Sequence, residues 1–384
     1  MAVTFSGGGY AGVTINIIQP TPPGYYLWSW GYNSYGQIGD GTSGAGTNKS
    51  TPVQIGTQSN WLSIAAGSYH KISVKTDGTL WTWGYNPSGA LGLSDTANRS
   101  SPVQVGALTN WSSNADSFDG GGFHTLAVKT DGTLWGWGNN YRGVLGLGDE
   151  SNRSSPQQVG ALTNWLKVSG GGYRTSLAIK TNNTLWTWGI NNYGNLGLGN
   201  TTNRSSPVQV GALTNWSTVS AGQYHMAAVK TDGTLWTAGS NFYGELGNGT
   251  SGNGTEKSSP VQVGSLTNWS SVSSGSYINL AVKTDGTLWS WGFNTQGQLG
   301  DGSTVDKSSP VQVGALTNWS RSSAGYSSAA IKTDGTIWTW GDAGFGVLGL
   351  GNTTNRSSPT QVGALNVWTT IFHTAYATAA IGYY

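Results

Sequence analysis

Three histidines recur at one place in this 384-residue chain: His70, His124 and His225 each follow an aromatic residue, as in Gly67-Ser68-Tyr69-His70 and Gly121-Gly122-Phe123-His124. Imidazoles set out in this way could hold a metal ion or carry protons. Arg174 follows the aromatic of a further copy, and the four residues are read as lining the mouth of a central channel. No carboxylate motif accompanies them, and a metal centre needs a complete ligand set with partners that orient it. Neither a metal nor a cofactor is expected. The sequence also has no Gly-x-Ser-x-Gly elbow, no His-Glu-x-x-His and no phosphate-binding Gly-x-x-x-x-Gly-Lys-Ser/Thr. The adjacent acids Asp149 and Glu150 fall in a variable loop, where solvated carboxylates are a plainer reading than an acid–base pair. The expectation is a binding or structural protein and not an enzyme.

A second set of residues follows each Trp-Gly. These loops run from Tyr32-Asn33-Ser34-Tyr35 to Asp342-Ala343-Gly344-Phe345, keep an Asn in six of seven copies, and move their aromatic residue from copy to copy. The binding-face candidates are Tyr32, Tyr35, Tyr85, Tyr141, Arg142, Tyr193, Phe242, Tyr243, Phe293 and Phe345. On one reading they offer contact area at low entropic cost to a sugar or a protein. On the other, the Asn caps its own turn and the rings pack against the adjacent repeat. The aromatic before each His position (Tyr69, Phe123, Tyr173, Tyr224, Tyr277, Tyr326 and Tyr376) is read as structural.

What must position these groups is a repeat. Leu-Trp-x-Trp-Gly or a close variant begins at Leu27, Leu80, Leu134, Leu185, Leu235, Leu288 and Ile337, spaced 53, 54, 51, 50, 53 and 49 residues apart. A period of this length built from short strands marks a propeller of four-stranded blades. Within a repeat, Leu126–Trp137 places two β-prone runs around Asp131-Gly132, a pair that supplies the positive φ angles of a tight hairpin. A third strand is expected at Pro156–Val159 and a fourth after Asn164-Trp165. All 20 tryptophans fall at repeat positions and are assigned to packing; Ala238 is the one gap, in the second Trp place of the fifth segment. Three insertions, Gly41–Thr51, Asn114–Gly122 and Gly249–Ser258, are expected in loops on one face.

The ends support closure of the ring. The segment at Leu27 lacks the usual preceding strand, and Tyr376–Tyr384 matches Tyr277–Asp285 up to the hairpin turn. The predicted fold is therefore an all-β, closed seven-bladed propeller over residues 27–384, its C-terminal strand completing the first blade and removing open edges. Residues 1–26 lie outside the repeat. Val13, Ile15 and Ile17 of this leader form a strand-like run before a Pro-rich tether, read as docking to a partner's sheet or folding back on the propeller.

Composition narrows the partners. Net charge is +2, charged residues are 9%, and Lys75, Lys129, Lys180, Lys230, Lys283 and Lys332 are spread one per repeat, so no basic groove for nucleic acid is expected. Cysteine is absent, which excludes disulfides and thiol chemistry. The first residues carry no basic and apolar signal pattern, and no run approaches a membrane span.

The motifs Trp137-Gly138, Asn140-Tyr141-Arg142-Gly143-Val144-Leu145-Gly146, Ser100-Ser101-Pro102-Val103-Gln104-Val105 and Gly67-Ser68-Tyr69-His70 resemble the regulator of chromosome condensation repeat family. That resemblance implies a propeller that acts by binding. Family members include a nucleotide-exchange factor for a small GTPase, secreted β-lactamase inhibitors, bacterial effectors and bacteriophage structural proteins. The low charge and the Gly, Ser, Thr and Asn surface are most similar to the phage members. The implied role is a virion appendage, such as a tail fibre, held to other virion proteins by the leader and presenting one face to a host glycan or protein. The alternative is an extracellular or effector-type inhibitor.

Overall fold

A computed structural model describes residues 23–114, 116–172 and 175–384. Val13, Ile15, Ile17 and Arg174 fall outside the described residues. The chain forms 28 strands in seven four-stranded antiparallel sheets, with only two single-turn 3₁₀ helices among the described residues. The all-β seven-bladed architecture is as the repeat predicts.

Local chemistry sets each blade. At the turn between its two central strands, Gly78 takes φ +76°, while Asp77 accepts from both the N–H and the hydroxyl of Thr79. That hydroxyl in turn accepts from the indole of Trp81 at 2.8 Å. The same three-residue relay recurs at Asp131, Asp232, Asp285 and Asp334, with Asn182 replacing the acid in one copy. Above each turn the repeat lysine lies between two indoles, its Nζ 3.5–3.7 Å from the nearer ring centroid. Burial holds these ammonium groups below the usual lysine range, and their cation–π seats explain why they form no basic face.

The expected fourth strand exists but serves the next blade. Trp165–Gly170 pairs with Thr175–Lys180, so the strand after each Asn-Trp is the innermost strand of the following sheet. Blade 1 is consequently built from both ends. Trp368–His373 and Ala377–Tyr383 supply its inner strands, and Tyr25–Gly31 and Lys49–Gln54 its outer ones. Two C-terminal strands therefore close the ring where one was expected. Gly24 and Tyr384 exchange a pair of backbone hydrogen bonds at 3.0 and 3.2 Å that clasp the two ends. Blades 2 to 7 follow in chain order from Trp61.

The core lies between blades. Trp30, Trp83, Trp137, Trp188, Trp291 and Trp340 are fully buried. Five of these indoles donate to a carbonyl of the preceding blade: Val347, Gln37, Ala90, Val144 and Glu245. Around the axis a cavity of about 450 Å³ is walled by the innermost strands. Ser169, Ser220, Ser273 and Ser323 each accept from a backbone N–H of the next blade there, forming a polar girdle. Asp119 holds the same level in blade 3, accepting from Gly170 N and Ser169 Oγ, and burial pushes its carboxyl up to about 7. The insertion at Asn114–Gly122 feeds this inner strand, Phe118–Gly120, instead of a surface loop.

Candidate functional site

The histidines do not line the channel mouth. Each begins the second strand of its blade, whose side chains alternate into the blade interfaces, one strand away from the axis. His70, His124 and His225 are fully buried, and Nε2 of each meets a polar group of the next blade: Thr125 Oγ1 at 2.9 Å, Ser176 Oγ at 3.1 Å and Asn279 Oδ1 at 3.1 Å. They are inter-blade rivets. In the fourth blade Thr175 pairs with Gly189 as His124 pairs with Gly138, so Thr175 holds the histidine register. His373, unremarked in the sequence, bridges Ser327 and Thr378 at 2.6 Å on each side.

Burial holds three of these rings neutral, His70 and His373 down to about 3 and His225 to about 4. An unfolded histidine takes up a proton near pH 6.5 while folded His225 stays neutral to about 4, so its contribution is lost as pH falls through that window. Between about pH 7 and 4.5 the stability advantage of wild type over His225→Gln is expected to shrink by about 2 kcal/mol. Urea unfolding of both proteins across that range measures it; parallel pH profiles would contradict the assignment.

The loops after Trp-Gly join both of the readings left open by the sequence. Their Asn residues are structural: Asn33, Asn86, Asn140, Asn191, Asn241 and Asn294 are fully buried, and each Oδ1 accepts from a backbone N–H five residues on at 2.9–3.0 Å. The aromatics, by contrast, are half-buried or exposed and touch one another. Tyr32, Tyr35, Tyr69, Tyr85, Phe123, Phe345 and Tyr376 form one arc, with centroid separations from 4.4 Å for Tyr35–Tyr85 to 6.5 Å for Phe345–Tyr376. Tyr193, Tyr224, Tyr277, Tyr243, Phe293 and Tyr326 form a second, with Phe242 against Tyr243. The described aromatics before the histidine positions, Tyr69, Phe123, Tyr224, Tyr277, Tyr326 and Tyr376, are thus part of the surface as well as of the packing.

One face of the ring is therefore an aromatic crown around the channel. Tyr141, Tyr193, Phe242 and Phe345 are its most exposed rings, at 43–50%. Arg142 lies over the Tyr141 ring at 5.0 Å and supplies a cation. Arg142 and Phe345 hold φ angles of 60° and 59°, left-handed backbone that bulky residues rarely adopt. The insertions Gly41–Thr51 and Gly249–Ser258 connect third to fourth strands on this same face. The opposite face carries Leu108, Leu162, Leu213, Leu266, Leu316 and Leu365, exposed singly, one in each of six repeats.

This geometry matches proteins already known. The RCC1-like domain profile covers residues 24–327, and the regulator of chromosome condensation (RCC1) repeat covers 334–381. The chain belongs to the RCC1-like domain family. Among relatives of this RCC1-like propeller, the ultraviolet-B receptor UVR8 of Arabidopsis thaliana is 30% identical over 295 residues, 73% of this chain and 63% of the receptor. The human E3 ubiquitin-protein ligase HERC2 is 29% identical over 289 residues, 72% of this chain but 6% of the ligase. The chain thus spans less than two thirds of either relative. Among solved structures, yeast RCC1 (Prp20) superposes with a TM-score of 0.82 at 18% identity, covering 94% of this chain and 90% of that one. Human WBSCR16 gives 0.80 at 20% identity, over 93% and 99%. At these identities the RCC1-like propeller shares their fold.

Proposed function

We propose that this RCC1-like propeller is a non-catalytic binding module that takes a protein partner on the aromatic crown. The observation that carries the reading is the contiguity of half-exposed rings around the channel, since clustered aromatics desolvate well and dominate binding energy at interfaces. The strained backbone at Arg142 and Phe345 adds support, because strain of this kind gathers at functional surfaces. Partners of other propellers with this fold point to the class of ligand: yeast RCC1 (Prp20) has been solved bound to Kap60, and Prp20p has binding properties toward Gsp1p and histones. Few charges mean that binding here rests on apolar and hydrogen-bonded contacts and changes little with salt.

Replacing Phe242 and Phe345 together by Ser is expected to weaken capture of the partner more than tenfold, with little change in melting temperature, because both rings are about half exposed. Leu108→Ser with Leu316→Ser on the opposite face is expected to leave capture unchanged. Equal loss from both pairs would overturn the assignment of the crown.

Within this reading the finer assignment we favour is a virion appendage, most like the bacteriophage members of the family, that shows the crown to a host surface. Its support is the Gly, Ser, Thr and Asn-rich composition and the sticky run at Val13–Ile18. Fractionation of particles from the source, with mass spectrometry of each fraction, is expected to find the chain with the virions. Recovery free in medium or cytosol would assign the extracellular or effector-type alternative instead.

A further inference from the structure

Blade 5 departs from the repeat at two positions that face each other. Ala238 stands where six other segments carry the buried Trp, and it pairs in register with Met226. The same register joins Trp137 to Thr125, Trp188 to Ser176 and Trp291 to Asn279. In those blades the indole fills a space against a glycine of the preceding blade. A Cβ on Gly92, Gly146 or Gly247 would lie 2.7–2.9 Å from an indole Nε1. At the corresponding Gly197 it would meet Pro260 at 3.3 Å and the Met226 sulfur at 3.5 Å, with no indole.

Gly197 and Pro260, which border this vacancy, also line a cavity of about 450 Å³ between blades 4 and 5. Its aromatic walls are Trp216 and Trp236. Where Trp269 touches both Trp289 and Trp291, the one tryptophan ring against Trp216 among the described residues is Trp236, at 6.5 Å. The cavity is also lined by Arg204 and Lys230. The matching Arg99 and Arg153 are paired with Asp95 at 2.5 Å and Asp149 at 2.6 Å. Asn200 takes the place of that acid here, and Arg204 forms no ion pair among the described residues.

We propose that this cavity is a binding site for a small aromatic anion. A planar ring of about indole size occupies the place of the missing tryptophan against Trp216 and Trp236, and a carboxylate on a short arm reaches Arg204 and Lys230. Apolar vacancies of this kind bind flat hydrocarbons, and a guanidinium without its acid offers a two-pronged seat to a carboxylate. The site is separate from the crown, so it stands whether or not the crown is the partner surface.

Calorimetric titration with indole-3-propionate and with indole tests it. The acid is expected to bind one to one, and about tenfold more tightly than indole. Arg204→Gln is expected to remove that preference while leaving indole binding in place. The double change Ala238→Trp with Met226→Thr rebuilds the repeat and is expected to abolish binding of both, with a melting temperature at or above wild type. Leu198→Trp, which blocks the cavity from its partly exposed wall, is expected to do the same and serves if the rebuilt blade does not fold. No saturable heat from either compound at millimolar concentration, or binding that survives both blocking changes, would overturn the proposal.

Discussion

Deleting residues 377–384 is expected to abolish the monomeric folded state. Ala377–Tyr383 is paired on both sides, with seven register partners in Tyr25–Gly31 and five in Trp368–His373. Its residues Ala377 to Ile381 are fully buried, and Ile381 packs in one cluster with Leu27, Ile38, Trp61 and Trp83. Without it the N-terminal pair of strands loses its place in the ring, and the sheets on either side gain open edges. Total stability of a folded domain is about 5–15 kcal/mol, and a central strand with both ladders and its apolar contacts contributes more than that margin. The truncated chain is expected to elute as aggregate in size-exclusion chromatography and to lose its near-ultraviolet tryptophan dichroism. A monomer with wild-type dichroism would show that the ring does not need its closing blade.

The second large effect is expected from Trp137→Ala, at about 3–5 kcal/mol. The indole is fully buried in the cluster of Ile72, Val74, Leu80 and Phe118, and it donates to Ala90 O at 2.9 Å. Removal leaves a void at a blade interface and takes away one of the two hydrogen bonds that Ala90 O accepts, the other coming from Thr125 Oγ1 at 2.8 Å, and both terms act in the same direction. Urea unfolding followed by tryptophan fluorescence measures the shift in midpoint. Blade 5 shows what such a site needs in order to tolerate alanine, for Met226 stands opposite Ala238 and moves its sulfur into part of the space. Thr125, opposite Trp137, is too short to do so. A loss below about 1 kcal/mol would mean that the interface collapses around the void.

Much of the scaffold was legible because it repeats. Seven Leu-Trp or Ile-Trp segments at one period give seven blades, Asp-Gly gives the hairpins, and the unmatched tail gives closure. What the pattern cannot carry is which sheet receives a strand. The run after Asn164-Trp165 reads as β-structure in either case, and only the pairing of Trp165–Gly170 with Thr175–Lys180 makes it the inner strand of the next blade. Misplacing the inner strand is also what put His70, His124 and His225 at the channel mouth; one strand further out, the same residues become buried rivets. The fourth blade has one extra residue before Thr175, so the spacing of the other copies does not lead to the register position there.

The crown was half visible. Its residues could be picked out because Tyr35, Tyr193, Tyr243 and Phe345 vary in loops whose Asn does not. Their contact with Tyr69, Tyr277 and Tyr376 could not, because those aromatics sit in a different loop and meet the first set only when the blades are arranged around the axis. The gap at Ala238 was plain in the sequence, but the cavity that adjoins it is lined by Gly197, Trp216 and Pro260, which belong to two blades.

The central claim is that partners bind the aromatic crown. It is tested most directly by placing a photo-crosslinking phenylalanine derivative at position 242 on the crown or at position 316 on the opposite face, then irradiating each protein with extract from its source. The account predicts one discrete crosslinked protein from Phe242, reduced by excess unlabelled wild type, and none from Leu316. A competable product from Leu316 with none from Phe242 would move the binding site to the leucine face and contradict it.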